Sequence, residues 1–238
     1  MAAPDENPPA PRWTLEAFRM GAMSVLPFLP GIAAFSMAYG TVAARQGFSL
    51  ADTLVMTGTV YAGLAQMIAL ENWPREFTAA SILVLVAIVA LVNLRYLLIG
   101  ATMRSFFAGE PAHKVYPTLF LLSEPNWLLT LRYQANGGRD PAYLLGGGVA
   151  IWIVWVVTAI PGYLAGAAVG DPQRFGLDLV VPAFFAAMLV PLWRGPRRSF
   201  GWIAGAAAAV AAQQLLGGFW YLIFGVVAGF LAGAFNDD

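Results

Sequence analysis

The stretch ALVNLRYLLIG, residues 90–100, sets Asn93 and Arg95 inside an otherwise apolar run. A second run, FLLSEPNWLLTL at residues 120–131, carries Glu124, Pro125, Asn126 and Trp127. Ionisable side chains within a membrane are rare and usually serve a pathway, a pair or a ligand. Arg95 lies about 12 Å of helix rise from the end of its run. It either snorkels to the interface or supplies donors to a bound anion. Glu124 sits mid-run, where a carboxyl favours its neutral form unless a cation pairs with it; it either forms a structural ion pair, receives an ammonium group or carries a coupling proton. Asp178, at the start of a later run, caps a helix N-terminus or joins Glu124 as a second coupling carboxylate. Gln66, in YAGLAQM, can hydrogen-bond between helices or to a ligand. Residues two apart on a helix point about 200° apart. Asn93 with Arg95, or Glu124 with Asn126, therefore share one site only if the backbone departs from a regular helix. Otherwise one member of each pair packs elsewhere.

Other chemistries are excluded or disfavoured. The chain has no cysteine and one histidine, His113 in an expected loop, so thiolate or histidine metal sites and disulfides are not expected. No nucleophile–base set is visible, which disfavours a membrane enzyme, and no cofactor is expected. There is no Gly-x-x-x-x-Gly-Lys-Ser/Thr phosphate loop, so any use of ATP needs another polypeptide. A formal net charge of zero gives no reason to expect a nucleic-acid partner.

The elements that must hold these residues follow from composition. The chain is 59% hydrophobic and 11% charged, with a mean hydropathy of +0.68, against about 45–50% and 25% in soluble domains. The apolar runs are continuous rather than alternating, so the expected fold is an all-α polytopic transmembrane bundle and not a barrel. Spans are expected near residues 21–44, 50–70, 77–103, 115–131, 142–169 and 177–193. Residues 200–235 carry no charge and would reach roughly 54 Å as one helix. They are read as two short helices turning near Gln213, Gln214, Gly217 and Gly218. That gives eight spans, with seven as the alternative. Arg12, Arg19, Arg75, Arg132, Arg139, Arg194, Arg197 and Arg198 then share one face, against Arg45, Arg104, Lys114 and Arg174 on the other. The richer face is expected to be cytoplasmic, with both termini inside. Residues 1–20 read as a polar tail without the basic and apolar regions of a signal peptide, leading into one transporter domain over 21–235.

Within LPFLPG, Pro27, Pro30 and Gly31 suggest a broken first span, of the kind that transporters use to expose backbone N–H groups to a ligand. Phe28, Phe35, Met67 and Trp127 are candidate walls of an apolar pocket. Gly162, Gly166 and Gly170 recur every four residues, as do Gly225, Gly229 and Gly233. Such ridges let helices approach closely, within the chain or against a separate small subunit. GFSLADTLVMTGTVYAGL from Gly47 and RFGLDLVVPAFFAAML from Arg174 echo each other faintly, a hint of an internal repeat.

Taken together, LPFLPGIAAFSMAYGTVAARQGFSLADTLVMTGTVYAGLAQM, NLRYLLIGATM and GLDLVVPAFFAAML resemble the AzlC family, the large subunit of branched-chain amino acid exporters. The Pro-Phe opening, Ala-Gly-x-Ala-Gln, Asn-x-Arg and a late Leu-Asp are matched at Pro27–Phe28, Ala62–Gln66, Asn93–Arg95 and Leu177–Asp178. The resemblance implies secondary export of apolar amino acids across the cytoplasmic membrane with a small AzlD-like membrane subunit. The family's adjacent Asp-Glu pair in the fourth span is Glu124–Pro125 here. The alternatives are a non-transporting scaffold subunit or a permease subunit driven by a separate ATPase.

Overall fold

The computed structural model describes residues 13–168, 186, 193, 195, 199–217 and 220–234. They fall in two units, 1–181 and 182–238. Every regular element among the described residues is helical, as expected of a helical membrane protein.

In the first unit, α1 (Leu15–Ser24), a 3-10 turn (Leu26–Phe28) and α2 (Leu29–Arg45) follow one another as one 31-residue apolar segment. Helix α1 starts at Leu15, upstream of the expected span, because the Thr14 side chain caps it by accepting from the Ala17 N–H. The break expected at Pro30–Gly31 is only the single 3-10 turn before it. Pro30 lies in the first turn of α2, where a missing N–H costs no helical hydrogen bond.

Three other expected spans are interrupted instead, and two of them, 50–70 and 115–131, turn back rather than cross. The Phe48 and Trp73 rings at the two ends of the first meet at 4.8 Å, and Trp13 bonds to both Glu110 and Asp140 at the two ends of the second. Arg75 therefore shares a face with Arg45, and Lys114 shares one with Arg139 and the start of α1. Residues 50–70 form α3 (Leu50–Val60) and α4 (Gly63–Glu71), residues 77–103 form α5 (Ala79–Asn93) and α6 (Arg95–Thr102), and residues 115–131 form α7 (Ala112–Phe120) and α8 (Glu124–Ala135). Reciprocal capping boxes start α3 at Ser49/Asp52 and α5 at Thr78/Ser81. Helix α9 (Ala142–Ala168) is continuous despite Pro161. Segments 15–45, 79–102 and 142–168 are each long and apolar enough to cross a bilayer alone.

Helix α9 is the post of this unit. Its glycine face lies against α1 and α2 so closely that side chains are excluded. A Cβ on Gly146 would run into the Phe18 carbonyl, one on Gly162 into the Met37 backbone, and one on Gly166 would sit 2.7 Å from Thr41 Cα. The Thr41 hydroxyl reaches both the Met37 and Gly162 carbonyls at 2.9 Å, and the Ser36 hydroxyl donates to the Trp155 carbonyl. Phe35 meets Trp155 edge-on at 5.2 Å. The Gly162/Gly166 ridge is thus filled by this chain's own α2; Gly170 lies outside the described residues.

One carboxylate ties the start of α1 to the turn before α9. Asp140 accepts the Trp13 N–H at 2.7 Å, the Thr14 N–H at 2.8 Å, the Thr14 hydroxyl at 2.6 Å and the Ala142 N–H at 2.9 Å. Trp13 is held at φ 67°. Burial pushes the Asp140 pKa up, but the Thr14 hydroxyl and the three N–H groups outweigh it and hold the carboxyl below its ordinary 3.8.

In the second unit, α10 (Phe200–Leu215) and α11 (Trp220–Ala234) pack glycine to glycine. A Cβ on Gly205 would lie 2.9 Å from the Gly225 carbonyl, and one on Gly201 3.0 Å from that of Gly229. The turn expected near Gln213–Gly218 is there, with Gly217 at φ +66°. The expected span at 177–193, Asp178 and the second half of the sequence echo lie outside the described residues, but for 186 and 193.

Two outcomes follow for stability in detergent, read by thermal unfolding. Gly146→Val, which drives a side chain into Phe18 backbone, should cost at least about 3 kcal/mol, whereas Gly58→Ala, whose Cβ makes only a 3.9 Å contact, should be tolerated. Asp140→Asn should cost on the order of 1–3 kcal/mol at neutral pH. Because the folded pKa is depressed, the Asp140 contribution is present above about pH 4 and is lost as the pH falls through the folded value; the variant should lack that acid-sensitive component.

Candidate functional site

The three interruptions define the site. At the first, Tyr61 adopts a left-handed conformation, φ 44° and ψ 43°, and ends α3. Two side chains satisfy the carbonyls near this end. The Trp152 indole N–H donates to the Gly58 carbonyl at 3.0 Å, and the Gln66 amide donates to the Met56 carbonyl at 2.7 Å, tying α4 back to α3. At the second, Leu94 separates α5 from α6. At the third, residues 121–123 separate α7 from α8, and Pro125 lies in the first turn of α8. Neither α4 nor α8 has a side-chain cap at its N-terminus, so their first N–H groups lack that partner.

A cavity of about 250 Å³ is lined by residues of all three breaks. The first gives Tyr61 and Ala62, the second Asn93 and Tyr96, the third Phe120 and Leu122, with Val60, Gly100 and Leu119 completing the wall. Beside it, Arg95 Nη2 lies 3.0 Å from Glu124 Oε1. The Tyr96 hydroxyl reaches Glu124 Oε2 at 3.4 Å, and the Arg95 guanidinium sits 5.2 Å from the Tyr96 ring centre. Tyr96 therefore touches both cavity and ion pair. The pair's side chains are 36% and 26% exposed, while Arg95 Nε and Glu124 Oε1 are themselves buried without a hydrogen-bond partner. The Asn93 side-chain carbonyl is buried without a hydrogen-bond partner, and the buried Tyr61 hydroxyl neighbours that of Ser123 outside hydrogen-bond geometry. Buried polar atoms are seldom left so; these are acceptors and donors that a ligand or water can engage.

The sequence candidates separate into groups. Asn93, Arg95 and Glu124 come together here. The regular helix that would have kept Asn93 and Arg95 apart ends between them. Asn126 packs elsewhere, its amide donating to the Leu144 carbonyl of α9 at 2.8 Å. Trp127 clamps α8 to α6 through the Thr102 hydroxyl at 2.9 Å. Gln66 bridges α3 and α4. Phe35 and Met67 are buried and do not line the cavity, while Phe28, Pro30 and Gly31 are exposed and do not line it either. Tyr61, Tyr96, Gly100 and Ser123 were not singled out from sequence. Tyr96 had a signal in its adjacency to Arg95, and Ser123 in preceding Glu124–Pro125. Tyr61 had none, since left-handed conformations are signalled by glycine or asparagine.

Comparison with known proteins bears on this geometry. The family model described as "AzlC protein" matches residues 27–169, more than half of the chain and all three breaks. The chain is 26% identical over 221 residues to the Branched-chain amino acid transport protein AzlC of Bacillus subtilis, covering 89% of this chain and 82% of that one. It is 24% identical over 219 residues to an uncharacterized membrane protein of Helicobacter pylori strain J99, covering 92% of this chain and 94% of the relative. A counterpart in strain 26695 gives the same figures. No solved structure matches the chain.

The left-handed turn at the first break has a direct test. With the ring removed in both, Tyr61→Gly should be more stable than Tyr61→Ala by about 1 kcal/mol, because only alanine carries a Cβ into that conformation. Thermal unfolding of the two purified variants measures it; equal stabilities would mean that residue 61 is not left-handed.

Proposed function

The chain belongs to the AzlC family, and on that premise we propose that it exports branched-chain or other apolar amino acids across the cytoplasmic membrane as a secondary transporter, with a small AzlD-like subunit. The observation that carries this reading is the partly buried Arg95–Glu124 pair beside a cavity of about 250 Å³ built from three helix breaks. Drug-sized ligands occupy pockets of about 300–1,000 Å³; this one suits a solute of amino-acid size.

A zwitterion exchanges with an ion pair without changing the charge of the site. Its carboxylate takes Arg95 and the uncapped N–H groups of α4 and α8, whose helix dipoles favour an anion. Its ammonium takes Glu124 and the Asn93 carbonyl oxygen. Its apolar side chain lies against Val60, Leu119, Phe120 and Leu122. A solute with one charge leaves either Arg95 or Glu124 unpaired in a poorly solvated place, which is costly. Glu124 is also the proposed proton carrier, with Asp178 as a second carboxylate. Support for direction and partner comes from the resemblance to exporter subunits, and support for a cytoplasmic N-terminus from the basic residues Lys114 and Arg139, which the contacts of Trp13 place on the face where α1 starts.

Counterflow of labelled leucine in vesicles containing the chain and its small subunit tests this. Glu124→Gln should lower the rate at least about tenfold, a loss near 1.4 kcal/mol. The 2-oxo acid and the amine corresponding to leucine, each lacking one charge, should compete at least about tenfold more weakly. Full transport by Glu124→Gln, or equal competition by the singly charged analogues, would refute the zwitterion site.

A further inference from the structure

Helix α9 gives the first unit a depth scale. Its start is fixed by Asp140, which holds Trp13 and Thr14 at the beginning of α1. Toward its other end the Tyr163 hydroxyl donates to the Phe48 carbonyl, just past α2, at 2.8 Å. Ala142 and Tyr163 are about 32 Å apart along the helix, close to the thickness of a hydrocarbon core. The start of α1 and Phe48 therefore mark opposite faces. The α3–α4 hairpin has its base at the Phe48 face, where Phe48 meets Trp73. The α7–α8 hairpin has its base at the α1 face, where Trp13 bonds to Glu110 and Tyr133 stacks on Tyr143 at 4.2 Å. Their arms are 9 to 12 residues long, or roughly 14–18 Å, half the depth of the core. The two tips dock one turn apart on α9. The first sets the Gly58 carbonyl against Trp152, and the second sets Leu121 where a Cβ on Gly148 would lie 2.7 Å from its own. The tips also meet each other, with the Tyr61 and Phe120 ring centres 6.2 Å apart. Tyr61 Oη and Ser123 Oγ, one from each tip, and Asn93 Oδ1 are buried without a hydrogen-bond partner.

We propose that the two hairpins are the two gates of the cavity, α3–α4 toward the Phe48 face and α7–α8 toward the α1 face, both closed in this structure. Each hairpin stands between the cavity and the face it enters by. The buried polar atoms at the tips are in contact with water from neither face. A segment that crosses the membrane is anchored at both interfaces, whereas a half-depth hairpin is anchored at one. Its tip can withdraw, and the water that follows satisfies the uncapped N–H groups of α4 or α8. A crossing segment and a hairpin, residues 15–71, are followed by a crossing segment and a hairpin of opposite direction, residues 79–135. Such inverted pairs present one site to two faces in turn. For what passes the gates, this inference rests on the amino-acid site proposed above.

The chain contains no cysteine, so a single introduced thiol reports alone. Gln46→Cys and Glu76→Cys flank the first hairpin and His113→Cys and Asn136→Cys the second, all at exposed positions. A cationic, membrane-impermeant methanethiosulfonate, applied to vesicles of either orientation, should find the first two on one face and the second two on the other. Flanks of one hairpin on opposite faces, or all four on one face, would overturn the proposal. Ala62→Cys, at the first tip and on the cavity wall, should react from both faces, at least about tenfold more slowly than Gln46→Cys, as a minor open state requires. Reaction from one face only, or from neither, would also overturn it. Leucine at ten times its Kd should slow the Ala62→Cys reaction about tenfold by occupancy. Two-sided reaction that leucine does not slow would overturn the amino-acid site and leave the gates standing. Val60→Cys, also on the cavity wall, carries the same test should Ala62→Cys fail to fold.

Discussion

A backbone amide or carbonyl that leaves its helix inside a bilayer must find a partner in protein, water or ligand, because hydrocarbon offers none. This chain breaks helices at Tyr61, Leu94 and residues 121–123, and residues of all three breaks line one cavity. Concentrating the interruptions solves the solvation problem once. The carbonyl side of the first break is closed by Trp152 and Gln66, while the amide ends of α4 and α8 have no side-chain cap. Donors are what remain, and donors are what an anionic group needs.

Such a site needs a rigid frame, since half-helices of about ten residues are marginal by themselves. The frame is α9 with α1 and α2. Their contact depends on glycines at positions where any Cβ would overlap backbone, and on hydroxyls that donate across the contact. In lipid, close backbone approach and interhelical hydrogen bonds take over the role that hydrophobic burial has in water. Trp155, on the same helix, packs against Phe35 and over Gly63 at the start of α4. Trp152, one turn earlier, caps α3. One face of α9 therefore holds α2, and its tryptophans hold the first break.

How far this was legible in the sequence depends on the residue. Arg95 and Glu124 announced themselves by cost, since charge in an apolar run has to be accounted for, and the structure pairs them. The glycine ridges and the turn near Gly217 were legible for the same reason: each has a steric consequence tied to one residue type. The breaks were not. Prolines at 27 and 30 drew attention to the first segment, yet a proline in the first turn of a helix disturbs little. The deeper interruptions fall at Tyr61 and Leu94, residues with no local preference for ending a helix. They are imposed by tertiary context: the tryptophan that caps from another helix and the ion pair that forms across two breaks. Aromatic candidates such as Phe35 and Trp127 matched a binding pocket in type, but type does not distinguish a pocket wall from a helix clamp.

The Arg95–Glu124 pair has a further consequence for what a site of this kind can discriminate. In a dry interior, separating two charges leaves each unpaired and costs several kcal/mol. Here Arg95 Nε and Glu124 Oε1 are buried without a hydrogen-bond partner, so the pair is incompletely satisfied and can open when a better arrangement is offered. A zwitterion offers one, giving each member a new partner at the moment the old one leaves. The apolar wall then sorts amino acids by side chain only coarsely, at about 1–3 kcal/mol per methylene at most. Charge type is therefore the sharp filter in this geometry and side-chain shape the blunt one, which suits a protein handling a class of apolar amino acids more than a single member of it.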